Sequence, residues 1–287
     1  MAYKFETMKL FKQNDQALIL LDDQYYYIEV DNWDTLLNRQ NLHAHIKRLL
    51  IPLEPIQFEG NLIKAQFDPP MGTQEVWAAG VTYLKSKTAR MEEAKESGGD
   101  YFYDKVYHAP RPELFLKANA QRTVGHGDFV HIRKDSSWDV PEPELTLFIN
   151  SEGTIQGYTV GNDMSSRSIE GENPLYLPQA KVYERCASMG PCLYLSESPI
   201  ASDSQIHLQI HRDEALLFED SVGIDRMKRT HEELVKYLFM ECLFPQGVFL
   251  MTGTCLVPPS EFTLQVNDVV TITIDHIGTL INYVSQK

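Results

Sequence analysis

The sequence predicts an α+β protein that is mainly β: a roll or barrel of short strands carrying a small N-terminal α/β module. Three observations carry this. Beyond residue 75 the chain divides into β-prone runs bounded by turn residues, at 75–81, 113–117, 129–133, 144–150, 155–160, 206–211, 215–218, 262–266 and 269–275. Only two later segments have helical character. Between them and the amino terminus, Pro52, Pro55, Pro69 and Pro70 punctuate a stretch without strong periodicity. A chain of 287 residues exceeds one usual compact domain. The division expected is a small domain over 1–70 and a larger one over 71–287.

Within the N-terminal module, residues 17–30 form two apolar, tyrosine-rich runs around Asp22 and Asp23, which suits a hairpin. A helix follows, capped by Asp31 or Asn32, with Trp33, Leu36, Leu37, His45, Ile46, Leu49 and Leu50 at roughly helical spacing. In the larger domain, residues 84–97 are rich in Lys, Arg, Glu and Ala and end at Gly98-Gly99. They read as a polar helix and a flexible hinge, and residues 84–104 as a mobile lid that closes over a site. Thr230-x-x-Glu233 is a capping box, and Leu234, Tyr237, Leu238 and Cys242 after it suit a core-facing helix.

Charge and cysteine usage narrow the partners. With 26 basic and 40 acidic side chains, the formal charge of −14 repels phosphate backbones and anionic lipid surfaces. Nucleic acid and membrane partners are therefore disfavoured, and a small anionic ligand needs a local cation. The first eleven residues contain no apolar core of a secretory signal, and the longest apolar stretches, such as 248–251, are far too short to span a bilayer. Cys186, Cys192, Cys242 and Cys255 form no C-x-x-C pair. Reduced thiols in a cytoplasm are the simplest reading.

Chemistry concentrates in Val140-Pro-Glu-Pro-Glu and in Gly157-Tyr-Thr-Val-Gly-Asn-Asp-Met-Ser-Ser-Arg. Residues two apart on a strand share a face, so Glu142 and Glu144 project together. Two adjacent carboxylates stay ionised only with positive charge between them. Ser151-Glu152-Gly153 can reverse the chain and bring Asp163 to the same point. Three carboxylates make an oxygen-rich site suited to Mg²⁺, with Mn²⁺ or Ca²⁺ as substitutes, rather than to Zn²⁺. Spacing alone leaves open a blander alternative, the solvated face of an edge strand, which Pro143 favours.

The surrounding text shifts the balance. Gly80-Val-Thr-Tyr83, Pro112-Glu-Leu-Phe-Leu-Lys117, Glu142-x-Glu144, the Gly157 to Arg167 block, Lys181, Met189-Gly-Pro191, Thr252-Gly-Thr254, Asn267-Asp-Val-Val and Gly278-Thr-Leu-Ile-Asn282 together resemble the fumarylacetoacetate hydrolase superfamily over residues 76–285. The resemblance implies a mixed β-roll whose metal ligands are Glu142, Glu144 and Asp163. It also implies a 2-oxo acid substrate chelated by the metal, with its carbonyl polarised so that an enolate is stabilised. Thr252 and Thr254 fall in a matching block and Ser86 just beyond another; all three are taken as substrate-binding, and the family suggests a homodimer or larger homo-oligomer.

Hydrolases and decarboxylases of the superfamily carry N-Y-x-x-H-x-x-E. Here the stretch is Thr82-Tyr83-Leu84-Lys85-Ser86-Lys87-Thr88-Ala89, with Ser86 in place of the His and Ala89 in place of the Glu. The wording around Ala89-Arg-Met-Glu-Glu, Tyr103-Asp-Lys-Val-Tyr107 and 166–181 is similar to the 2-keto-3-deoxy-D-arabinonate dehydratase branch. That branch removes water from a sugar acid and needs no activated water. The resemblance makes Lys181 the candidate base or enolate-stabilising cation and Glu113 its proton-shuttling partner, although Glu113 reads equally well as a strand-edge carboxylate. Lys117 either offsets the carboxylates or contacts substrate, and Arg90 reaches the substrate hydroxyls from the lid. The alternative activity is a hydrolase or decarboxylase acting on an acylpyruvate or oxaloacetate. No G-x-S-x-G elbow, phosphate loop or convincing histidine metal pair is present.

Overall fold

A computed structural model describes residues 7–93 and 100–287. Its frame is one mixed ten-stranded sheet and a second sheet of five strands packed against it. In the large sheet the order runs Gln24–Glu29, Gln16–Leu21, Thr7–Gln13, Ala187–Ser196, Ile155–Asp163, Pro143–Ile149, Val248–Met251, Glu75–Gly80 and Glu113–Ala118, with Thr123–Val124 paired beside Ala187–Ser196. The small sheet orders Ala215–Gly223, Gln205–Arg212, Val269–Ile274, Gly278–Gln286 and Phe129–Ile132.

The central strands are buried on both faces, and their sequences are correspondingly continuous in apolar residues rather than alternating. All seven residues of Pro143–Ile149 are buried. Leu145, Leu147 and Ile149 face one core, shared with Ile206, Leu208, Ile210, Val270 and Ile272 of the second sheet. Phe148, one residue out of phase, faces the other, beneath Trp33, Leu36, Leu42 and Ile46 of the N-terminal helices. The expected hairpin forms, with Asp22 and Asp23 both at positive φ in its turn. Asn32 caps the helix Trp33–Leu37 by accepting from Thr35 N, and Thr230 caps His231–Leu238 by accepting from Glu233 N. The N-terminal hairpin joins the large sheet through Thr7–Gln13, which pairs antiparallel with Ala187–Ser196.

Several elements differ from expectation. Residues 262–266 form no strand. Their backbone bonds go to irregular partners instead, Leu264 N to Asp139 O and Gln265 N to the Asp268 carboxylate, while Thr263 O accepts from Arg212. Ala187–Ser196, Val248–Met251 and Gly278–Gln286 are strands the sequence reading did not assign. The polar helix spans Leu84–Glu93, and a second helix, Asp100–His108, packs on it. The Gly98-Gly99 hinge lies outside the described residues. Among the described residues no helix is long and apolar enough to cross a membrane.

Candidate metal centre

The site lies where two neighbouring central strands end. Pro143–Ile149 and Ile155–Asp163 are joined by a tight turn in which Gly153, at φ +75, donates to Asn150 O. The antiparallel register sets Gly161 opposite Glu144 and Asn162 opposite Pro143. Asp163 N then donates to Glu142 O at 2.9 Å, so the register itself delivers Asp163 to the E-x-E pair. Pro143 is tolerated because it is the first residue of its strand. The solvated-edge alternative is excluded, since this strand is central and Glu142, Glu144 and Asp163 are at most 2 % exposed.

One oxygen from each of these three carboxylates lies within 4.8 Å of the others. Ligands around an ion with bonds of about 2.1 Å sit about 3 to 4 Å apart, so shifts of less than about 1 Å would close the set on one cation. Glu144 makes the case for such an ion. It is buried, its hydrogen bond among the described residues comes from Gly253 N at 2.6 Å, and burial, then Asp163, then Glu142 push its carboxyl well above the usual range. The three residues therefore fit a hard divalent cation.

Among the described residues, four cations surround this cluster. Lys181 Nζ donates to Glu142 Oε2 at 2.6 Å and to Asp163 Oδ2 at 3.0 Å. Arg167 donates to Glu142 Oε1 at 2.8 Å, and Arg90 reaches the same oxygen at 3.3 Å while also pairing with Glu170. Lys117 Nζ meets Asp163 Oδ1 at 2.6 Å. Burial alone would raise the Asp163 carboxyl, but Lys117 and Lys181 bring it below its usual value. Burial and neighbouring Arg90 depress Arg167, whereas at Arg90 the lowering by burial is overcome by Glu142 together with Tyr103, Glu113 and Asp163, and the guanidinium is raised. Glu113 lies over Gly80, where an added Cβ would come within 2.0 Å of its Oε2. Burial pushes Glu113 upward against the opposing pull of Arg90 and Lys181.

A cavity of about 10 Å³, room for about one water, opens onto the carboxylates. Lys181 lines it together with Ser86, Arg90 and Thr254 of the substrate-binding set. Thr252 lies behind the wall, with its N and its Oγ1 both donating to Leu145 O. Lys117 lies beneath the floor, its ammonium shared among Asp163, Met164 O and Lys181 O. The Ser86 hydroxyl donates to Tyr83 O at 2.8 Å and accepts from Tyr83 N, which fixes the start of the Leu84–Glu93 helix. Sequence reading gave no role to Arg167, although it ends the Gly157 block, to Glu170, or to Phe115, which also lines the cavity. The first two matter through charges supplied by other elements, which no local pattern reveals.

A buried, oxygen-only cluster fit for a metal ion, ringed by lysine and arginine and set where central strands of a mixed β-roll end, defines a class of fold and site. The model of the C-terminal fumarylacetoacetate hydrolase domain matches residues 76–285, and the chain belongs to that family. It is 50 % identical over 217 residues to a probable 2-keto-3-deoxyxylonate dehydratase of Haloferax volcanii, covering 75 % of this chain and 74 % of that one. It is 41 % identical over 239 residues to a 2-dehydro-3-deoxy-D-arabinonate dehydratase of Saccharolobus solfataricus, covering 82 % and 78 %. Among solved structures, 2-keto-3-deoxy-D-arabinonate dehydratase complexed with magnesium and 2,5-dioxopentanoate superposes with a TM-score of 0.82 at 32 % identity, over 98 % of this chain and 99 % of that one.

Proposed function

We propose that this chain is a Mg²⁺-dependent hydro-lyase that dehydrates a 2-keto-3-deoxy sugar acid of the arabinonate type to a 2-oxo acid semialdehyde. The observation that carries the reading is Lys181 Nζ held between Glu142 and Asp163, in a chain whose relatives at 50 % and 41 % identity are dehydratases. Glu142, Glu144 and Asp163 would hold the cation, which when bound supplies polarisation of the 2-oxo group.

The remaining chemistry falls to the protein's own side chains. Elimination takes a proton from C3 and releases the C4 hydroxyl as water, leaving a C3=C4 double bond that proton shifts convert to the semialdehyde. Lys181, paired with Glu142 and Asp163 as an ammonium, gives up a proton to solvent and in its neutral amine form is the base for the C3 proton. Glu113, whose carboxyl burial pushes upward, donates to the departing hydroxyl. Ser86, Arg90 and Thr254 form the wall facing the hydroxylated end of the substrate. The same reading takes the protein to be a cytoplasmic homodimer or larger homo-oligomer, with residues 1–70 as a small N-terminal unit.

The test is a substrate screen with Mg²⁺ present. A set of 2-keto-3-deoxy acids is compared with acylpyruvates and oxaloacetate, with the dioxo product followed by mass spectrometry. Dehydration of the deoxy acids is expected. Rapid cleavage of acylpyruvate with the deoxy acids untouched would sink the assignment.

A further inference from the structure

Arg90 lines the cavity, yet its guanidinium is committed elsewhere. One terminal nitrogen pairs with Glu170 and the other reaches Glu142 Oε1 at 3.3 Å. These two carboxylates belong to different elements. Glu142 immediately precedes the central strand Pro143–Ile149 and is in the metal-ligating triad, whereas Glu170 lies on the helix Arg167–Glu172 and is not part of the cavity wall. Glu170 is itself 1 % exposed and accepts from Ser165 Oγ at 2.9 Å, so it is a fixed anchor. Arg90 stands near the far end of the helix Leu84–Glu93, whose near end is held by Ser86 on Tyr83 and, on its outer side, by Lys85 on Asp220 at 2.9 Å.

We propose that Arg90 is a positioning residue rather than a substrate ligand: a bridge from the Leu84–Glu93 helix to Glu170 that sets the closed position of that helix and the orientation of Glu142 together. A planar guanidinium can serve two carboxylates in different directions at once, and an ammonium point charge cannot span them with the same geometry. The bridge explains how the helix forms a cavity wall with room for about one water. Substrate entry then requires the helix to leave, and return of Arg90 to Glu170 re-forms the wall and restrains the Glu142 carboxylate. The turnover arm of the test rests on the dehydratase reading; the exchange arm does not.

The experiment is a cycle of wild type, Arg90→Lys, Glu170→Gln and the double variant. Hydrogen exchange of residues 84–93 is read without substrate, with exchange of the 143–149 strand as the folding control, and kcat and KM are read with Mg²⁺ and a 2-keto-3-deoxy acid. Each single variant should speed exchange of the helix amides about tenfold, leave the strand unchanged, and lower kcat by about tenfold or more, with the double variant no worse than the worse single. Glu170→Gln leaving both readouts within about twofold while Arg90→Lys loses turnover would mean that Arg90 acts on substrate directly, which overturns the bridge. Additive losses would overturn it as well, and so would a loosened helix with unchanged turnover. If wild type dehydrates none of the acids, the functional reading fails, and helix exchange alone decides the bridge.

Discussion

Glu144 and Asp139 are both buried carboxyls, and they make opposite demands on their surroundings. Glu144 faces two other carboxylates and leans on a single backbone N–H, so a divalent ion offsets its charge better than any side chain nearby. Glu144→Gln keeps the shape and removes the charge; Mg²⁺ affinity measured by calorimetry should fall at least about tenfold. An unchanged affinity would remove Glu144 from the ligand set. Asp139 is 3 % exposed, with an Oδ1 that has no hydrogen-bond partner among the described residues, and burial pushes its carboxyl up to about 6. A raised carboxyl means that the folded state holds a proton the unfolded chain has already lost. Stability therefore falls as pH rises from about 4 to about 6, and the loss is complete above that window. Asp139→Asn should flatten this slope and raise stability at pH 7 by up to about 2 kcal/mol. Urea midpoints across pH 4 to 8 measure it, and parallel curves for the two proteins would refute it. The E-x-E pair was legible in the sequence because strand alternation is local. The full engagement of Lys117 was not, since its three acceptors include backbone carbonyls brought in from Met164 and Lys181 by the fold.

At the scale of elements, the site depends on backbone that ordinary side chains disfavour. Val81, between the strand Glu75–Gly80 and the helix Leu84–Glu93, sits at φ +54, an unusual place for a β-branched residue and a cavity-lining one. Gly253, at φ +102, lies against residues on either side of Val81 in sequence: a Cβ there would come within 2.0 Å of Thr82 Oγ1 and 2.9 Å of Ala79 O. Because Gly253 N also holds Glu144, strain and clash at this glycine act on the metal centre. Gly253→Ala should cost roughly 2 to 4 kcal/mol in urea denaturation and weaken Mg²⁺ binding in the same sample. A wild-type midpoint would show that the loop yields freely. The hairpin, the capping boxes and most strands were readable from alternation and turn chemistry. Ala187–Ser196 was not, because Gly190-Pro191 in its middle reads as a breaker when a strand's neighbours are unknown. Val248–Met251 was seen only as an apolar stretch, being four residues long and buried on both faces. Residues 262–266 erred the other way, with strand-like composition but no ladder to join.

Across the whole molecule, a formal charge of −14 sits around a centre that is close to balanced by its own residues. Glu142, Glu144, Asp163 and Glu170, with Glu113 beside them, are met by Lys117, Lys181, Arg90 and Arg167. The two large apolar clusters lie on the faces of the ten-stranded sheet, and no residue of the triad belongs to either. The fold thus gains little of its stability from the ion, unlike a zinc finger, where metal binding is folding. Removing Mg²⁺ with a chelator should abolish turnover and leave the far-ultraviolet circular dichroism spectrum unchanged. Mass action still links the ion to stability. At a hundredfold excess over its Kd, Mg²⁺ should add about 2.7 kcal/mol, a rise in Tm of roughly 5 °C for a chain of this size. The rise should continue with the logarithm of Mg²⁺ concentration, and the stabilisation should shrink by about 1.4 kcal/mol for each tenfold loss of affinity when Asp163→Asn or Glu144→Gln removes a ligand. Chelation that unfolds the protein outright would place the ion in the structural core and contradict this account. A Tm indifferent to Mg²⁺ up to tens of millimolar would deny the site an ion at all.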